Sequence, residues 1–164
     1  MGRIVASSAE LAERHRPAVL AYLVRVLGDR EEAEDACQEA FLRAHRAVGR
    51  LGADANARAW LYRIATNCAM SAARRRARKH ARATDVDPDG LPAVMPSPET
   101  RAQLRRVAVA VRALPPRQRA ALMLRQFQGF AYAEIADSLG GSETGARANV
   151  YQALKKLRAA LGES

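Results

Sequence analysis

The chain predicts an all-helical fold of two small domains joined by a flexible linker, and three observations predict it. Apolar residues recur at three- and four-residue spacing through both halves, the period of a helix with one buried face. The alternation that a half-buried strand needs appears nowhere. Residues 80–98, HARATDVDPDGLPAVMPSP, interrupt the pattern with four prolines, a glycine and three aspartates, which reads as a linker.

Residues 9–27 place Leu11, His15, Val19, Tyr22, Leu23, Val26 and Leu27 on one face, and Gly28-Asp29 supplies a stop. A second helix over 31–50 buries Ala33, Ala36, Cys37, Ala40, Phe41, Ala44 and Val48. Its first turns carry Glu31, Glu32, Glu34 and Asp35, where the helix dipole favours negative charge. On its solvent side lie Asp35, Gln38, Glu39, Leu42 and Arg43. LGADAN after Arg50 has no periodicity and reads as a loop. Residues 57–78 form a third helix with Trp60, Leu61, Ile64, Ala65, Cys68 and Ala72 inward. Its last turns are crowded with Arg74, Arg75, Arg76 and Arg78, more cations than dipole compensation requires, so phosphate binding is the expected use.

Beyond the linker, Leu104, Val107, Ala108 and Val111 mark a fourth helix, closed by Leu114-Pro115-Pro116. Proline cannot continue a helix but suits the first position of the next, which runs over 116–128 on Ala120, Ala121, Leu124 and Phe127. Gly129 then opens GFAYAEIADSLGGSETGARANVYQALKKLRAAL, which reads as two helices about the Gly140-Gly141 turn. Tyr132, Ile135, Ala136 and Leu139 bury the first of these, with Ser142 as N-cap of the second. Ala146, Val150, Leu154, Leu157 and Leu161 are expected to bury the second. Its opposite face carries Gly145, Ala148, Gln152, Lys155 and Lys156, with Asn149 and Tyr151 beside them, as a helix entering a major groove requires.

Lys plus Arg total 27 against 17 for Asp plus Glu, a formal net charge of +10, which points to a polyanionic partner. The excess is divided: 15 basic against 9 acidic residues over 1–80, 1 against 4 over 81–100, and 11 against 4 over 101–164. Two basic lobes thus flank an acidic tether, which suits two separate stretches of DNA better than one compact core does. Cys37 and Cys68 sit at apolar helical positions and read as buried thiols in a reducing cytosol. Neither has a second ligand at metal spacing, so no metal or cofactor is expected. No signal peptide or membrane span is discernible, which implies a cytoplasmic protein. Nothing resembles a catalytic triad or a phosphate loop, so an enzyme is not the reading.

AYLVRVLGDREEAEDACQEAFLRAHRAV, ARAWLYRIATNCAMSAARRRARK and RALPPRQRAALMLRQFQGFAYAEIADSLGGSETGARANVYQALKKLRAAL occur in this order across a short linker. Together they resemble the extracytoplasmic-function (ECF) sigma factors of bacterial RNA polymerase. The resemblance implies sigma region 2 over 5–79, a linker over 80–98 and sigma region 4 over 99–164. It implies that Glu34, Asp35, Gln38, Glu39, Phe41 and Arg43 dock on core RNA polymerase. Asn56, Arg58, Trp60, Arg63 and Asn67, with Arg74, Arg75 and Arg76, would hold the single non-template strand at the minus-ten promoter element. Ser142, Thr144, Arg147, Ala148, Asn149, Tyr151, Gln152, Lys155 and Lys156 would bind the minus-thirty-five element as duplex. Further implications are an anti-sigma factor as partner and a linker that threads the polymerase towards the RNA exit; a plain tether is the other reading of the linker.

Some positions depart from the group. Basic side chains usual in the recognition helix are replaced by Asn149 and Gln152, which keep the capacity to pair with adenine while weakening phosphate grip. His45 stands where tryptophan is usual and Cys37 where leucine is frequent. An added sensory domain after Ser164 is not expected. A stand-alone helix-turn-helix repressor or activator is the alternative, but it leaves the first lobe unexplained.

Overall fold

The computed structural model describes residues 7–52, 55–79 and 97–162. Among them the fold is entirely helical: α1 (Ser8–Leu27), α2 (Arg30–Ala47), α3 (Ala57–Lys79), α4 (Pro98–Arg112), α5 (Pro116–Gln126), α6 (Tyr132–Leu139) and α7 (Glu143–Leu161). One 3-10 turn, Val48–Arg50, tightens the end of α2 where sequence periodicity predicts continued helix. The linker expected over 80–98 lies almost wholly outside the described residues.

Local chemistry sets each boundary. Ser7 Oγ accepts from the Glu10 amide at 3.2 Å while the Glu10 carboxylate accepts from the Ser7 amide at 2.9 Å, a reciprocal cap for α1. Asp29 caps α2 through the Glu32 amide at 2.9 Å, Ser97 caps α4, and Ser142 caps α7 through the Gly145 amide at 3.0 Å. Between α1 and α2 the chain turns on Gly28, whose φ of 70° is left-handed; a Cβ there would also lie 2.7 Å from the Arg112 guanidinium carbon. Pro17 falls on the exposed side of α1, which continues through it because Val19, Tyr22 and Leu23 anchor the following turns at full burial.

The first unit packs α1, α2 and α3 together. Ala33, Ala36, Ala40 and Ala44 give α2 a small-residue seam that admits both neighbours closely. Inside, the Tyr22 hydroxyl and Thr66 Oγ1 share a buried hydrogen bond of 2.7 Å, which satisfies the polar atoms that those two side chains take into the core. His45 Nδ1 and Ser8 Oγ lie 2.6 Å apart, tying the end of α2 to the start of α1. In the second unit α7 packs on α4, α5 and α6. Its buried stripe is Ala146, Val150 and Ala153; Leu154, Leu157 and Leu161, expected inward, are half-buried.

The two units also pack on each other, through α3 against α6 and α1 against α5. Buried apolar residues form one continuous cluster from Val19 and Leu61 through Tyr62 and Phe130 to Ile135 and Val150. Sequence reasoning favoured two separate cores. The structure keeps the two helical units and joins them across an apolar seam that helical periodicity does not reveal.

Candidate nucleic-acid and protein interfaces

Three surfaces carry the residues singled out by sequence. On α2, Glu34, Asp35, Gln38 and Arg43 are exposed and Glu39 is half-buried. Arg30 donates to Glu34 at 3.0 Å and Arg43 to Glu39 at 2.8 Å, both one helical turn apart. The Arg43 hydrogen bond holds the Glu39 carboxyl below its ordinary pKa. Such exposed pairs contribute little to stability but fix a patterned charged face. Phe41 is only 7% exposed, on the inward face where its helical spacing places it, with the Arg16 guanidinium over its ring at 4.9 Å, so it packs α2 against α1. Leu42 is the apolar residue that α2 does present, 45% exposed beside Arg43.

On α3 the expected residues divide into two groups. Trp60, Arg63, Asn67 and Arg74 recur at helical spacing on one face; Arg63, Asn67 and Arg74 are exposed, and Trp60 is half-buried against the core. Arg75 is exposed on the neighbouring face, beside Glu39 of α2 in a groove where acidic α2 meets the basic end of α3. The other group is engaged by neighbouring elements, with Asn56 exposed and Arg58 and Arg76 half-buried. Asn56 Oδ1 caps α3 through the Ala59 amide at 3.1 Å, while Asn56 Nδ2 donates to Glu134 of α6 at 2.8 Å. Arg58 donates to the Gln128 carbonyl at 2.5 Å. Arg76 donates to the Leu27 carbonyl at 3.1 Å and lies 3.6 Å from Glu32.

The third surface is α7. Thr144, Arg147, Ala148, Tyr151, Gln152, Lys155 and Lys156 are exposed and Asn149 is half-buried, a continuous polar face opposite the Ala146–Val150–Ala153 stripe. Ser142 is engaged as the N-cap. Arg147 is held on two sides: it donates to Glu143 at 2.9 Å, and its guanidinium lies over the Tyr132 ring at 4.5 Å. Arg125 approaches the same ring at 4.4 Å, so Tyr132 joins two guanidinium groups. α6, the Gly140 turn and α7 form the helix-turn-helix expected there, with Gly140 left-handed at φ 70°.

Sequence reasoning missed the groups that join the units. Arg119 of α5 donates to the carbonyls of Val111, Arg112 and Leu114 at 3.2, 2.9 and 2.8 Å, and to the Val26 carbonyl at the end of α1. Arg112 donates to the Gly28 carbonyl at 2.8 Å. With Arg76, three guanidinium groups therefore meet the carbonyl end of α1, where helix-terminal acceptors and the negative dipole end compensate them. Desolvation, with neighbouring Arg112 and Arg76, pulls the Arg119 pKa down to about 10, so it stays protonated at neutral pH. Among the described residues no His, Cys, Asp and Glu cluster of metal-binding geometry occurs, and no helix is long and apolar enough to cross a membrane.

Comparison with known proteins matches residues 11–79 to the Sigma-70 region 2 family and residues 104–157 to the Sigma-70, region 4 family. The ECF RNA polymerase sigma factor SigE of Mycolicibacterium smegmatis is 33% identical over 91% of this chain, which spans 59% of that relative's length. SigL of Mycobacterium tuberculosis, also an ECF RNA polymerase sigma factor, is 33% identical over 93% of this chain and 88% of its own. Among solved structures, the sigma factor RpoE of Bartonella quintana, in complex with the anti-sigma factor NepR, superimposes with a TM-score of 0.73. It is 25% identical, covering 94% of this chain and 96% of the other. The fold, the helix-turn-helix and these matches lead to one conclusion: the chain belongs to the ECF sigma factors, promoter-recognition subunits of bacterial RNA polymerase rather than enzymes.

Proposed function

We propose that the three surfaces divide promoter recognition among them. Residues 5–79 act as the polymerase-docking and minus-ten unit, 80–98 as the linker and 99–164 as the minus-thirty-five unit. Glu34, Asp35, Gln38, Glu39, Arg43 and Leu42 dock on core polymerase: a patterned charged face around one exposed leucine suits a protein partner better than a nucleic acid. Trp60, Arg63, Asn67, Arg74 and Arg75 hold the minus-ten strand, with Arg76 capping α1 behind them. A single strand is held by basic grooves and flat side chains, which that stripe supplies. α7 enters the major groove at the minus-thirty-five element. There Arg147, Asn149 and Gln152 reach base edges, while Lys155 and Lys156 meet phosphate.

The observation that carries this reading is the exposed stripe of Arg63, Asn67 and Arg74, with half-buried Trp60 at its head, on the same chain as the helix-turn-helix. A helix-turn-helix repressor has no use for that stripe. The chain works in the bacterial cytoplasm, and an anti-sigma factor is its expected inhibitor, by analogy with the complex of the Bartonella relative. Core-dependent run-off transcription on genomic fragments tests the reading: discrete transcripts that require both the chain and core polymerase are expected. Specific duplex binding by the chain alone, with no such transcripts, would replace it with the repressor reading.

A further inference from the structure

The line of α7 that points furthest from the core is not its basic one. At the helical period Ala148 stands opposite the buried Ala146–Val150–Ala153 stripe, with Thr144 one turn before it and Tyr151 one turn after, on the same side. All three are exposed, and Tyr151, at 62%, is the most exposed large apolar side chain among the described residues. The hydrogen-bonding groups stand to the sides. Arg147 and Asn149 lie about 100° to either side of Ala148, the rotation of one residue. Arg147 is drawn further round by Glu143 and the Tyr132 ring, and Asn149 is half-buried. Gln152 follows Ala148 by one turn on the side away from Tyr151, and Lys155 and Lys156 come a turn later.

In the major groove each base pair shows donors and acceptors, and thymine alone adds a methyl group. Polar side chains take the first two. The centre of this face is a methyl group at Ala148, another at Thr144 and an aromatic ring at Tyr151, which suit the third. Ala148 is also short enough for the helix to come close to the base edges, while Thr144 and Tyr151 form walls around it. We propose that Thr144, Ala148 and Tyr151 select a thymine of the minus-thirty-five element by enclosing its 5-methyl group. The proposal rests on the assignment of α7 to that element and names what the centre of the helix reads there. Specificity at this position then comes from apolar contact, with Gln152 reading a neighbouring base edge and the cations left to phosphate and to the flanks.

The test uses holoenzyme formed from the full chain and core polymerase, on promoter duplexes recovered by run-off transcription. Each thymine of the minus-thirty-five element is replaced in turn by uracil, which lacks only the 5-methyl group. At the thymine read in this way, uracil is expected to weaken binding about fourfold, the factor that burying one methyl group contributes. Ala148→Ser combined with Tyr151→Ala is expected to bind the thymine and uracil duplexes alike. Both positions are exposed, so the fold is retained. Tyr151→Phe is expected to keep the preference, because the ring and not the hydroxyl encloses the methyl group. Indifference of the parent at every thymine would overturn the proposal, as would a minus-thirty-five element without thymine. A preference that persists in the folded double variant would overturn it too, since it would report duplex shape. Absence of transcripts removes the sigma reading alone. The same uracil replacement in duplexes that the full chain selects by itself from a random pool then decides whether the methyl group is read, and a chain that selects none overturns both.

Discussion

Arg119→Met removes four hydrogen bonds while keeping the aliphatic stem, and the structure sets the size of the effect. The carbonyls of Val111, Arg112, Leu114 and Val26 all lose a charged donor. A hydrogen bond contributes about 1 kcal/mol net, and a buried acceptor left without a partner costs at least as much. The Val111 carbonyl also accepts from the Leu114 amide at 3.1 Å and so keeps a partner, and the loss is about 3 kcal/mol rather than the full sum. For a chain of this size that lowers the melting temperature by about 6–12 °C. Urea denaturation followed by far-UV circular dichroism measures it. Arg119→Lys should recover about half, because an ammonium has fewer donors and a shorter reach. A loss under about 1 kcal/mol at unchanged m-value would refute the reasoning, since it would mean that the four carbonyls are satisfied without Arg119.

Three further outcomes are expected. Arg74→Ala with Arg75→Ala should lower the slope of log affinity against log salt for holoenzyme on promoter DNA by about 1.4, two single-strand phosphate contacts; a parental slope would remove these arginines from the strand path. Gln38→Ala with Leu42→Ala should abolish copurification with core polymerase while leaving stability within about 0.5 kcal/mol, because both are exposed; retained copurification would move the docking site off this face. Tyr132→Ala should weaken minus-thirty-five duplex binding about two- to fivefold by releasing Arg147, with Tyr132→Phe close to the parent. Equal loss in both variants would show that the ring does not orient Arg147.

What the sequence disclosed and what it withheld follow from the physics of each signal. Helices show themselves through periodicity and caps, so Gly28-Asp29, Gly140 and Ser142 end or begin elements where reading the chain places them. Exposed residues such as Arg63 and Arg74 are legible for the same reason. The helical period likewise places Phe41 inward, where it is found. The seam between the units was hidden for a different reason. Phe130 precedes α6 and belongs to no helical period, and the acceptors for Arg58, Arg112 and Arg119 are main-chain carbonyls that every residue possesses.

That dependence on main-chain acceptors makes the seam unequal under mutation. At Val26 and Leu27 the group that receives the hydrogen bond is the peptide oxygen, so a change of side chain that preserves packing leaves the bond in place. The donors have no such latitude, because only a guanidinium has the reach and the number of N–H groups to serve several carbonyls at once, as Arg119 does. Heritable variation can therefore drift along the carbonyl side of the contact while substitutions on the arginine side are felt at once. A library screen for chains whose units have come apart should return changes at Arg112 and Arg119 far more often than at the residues they hold.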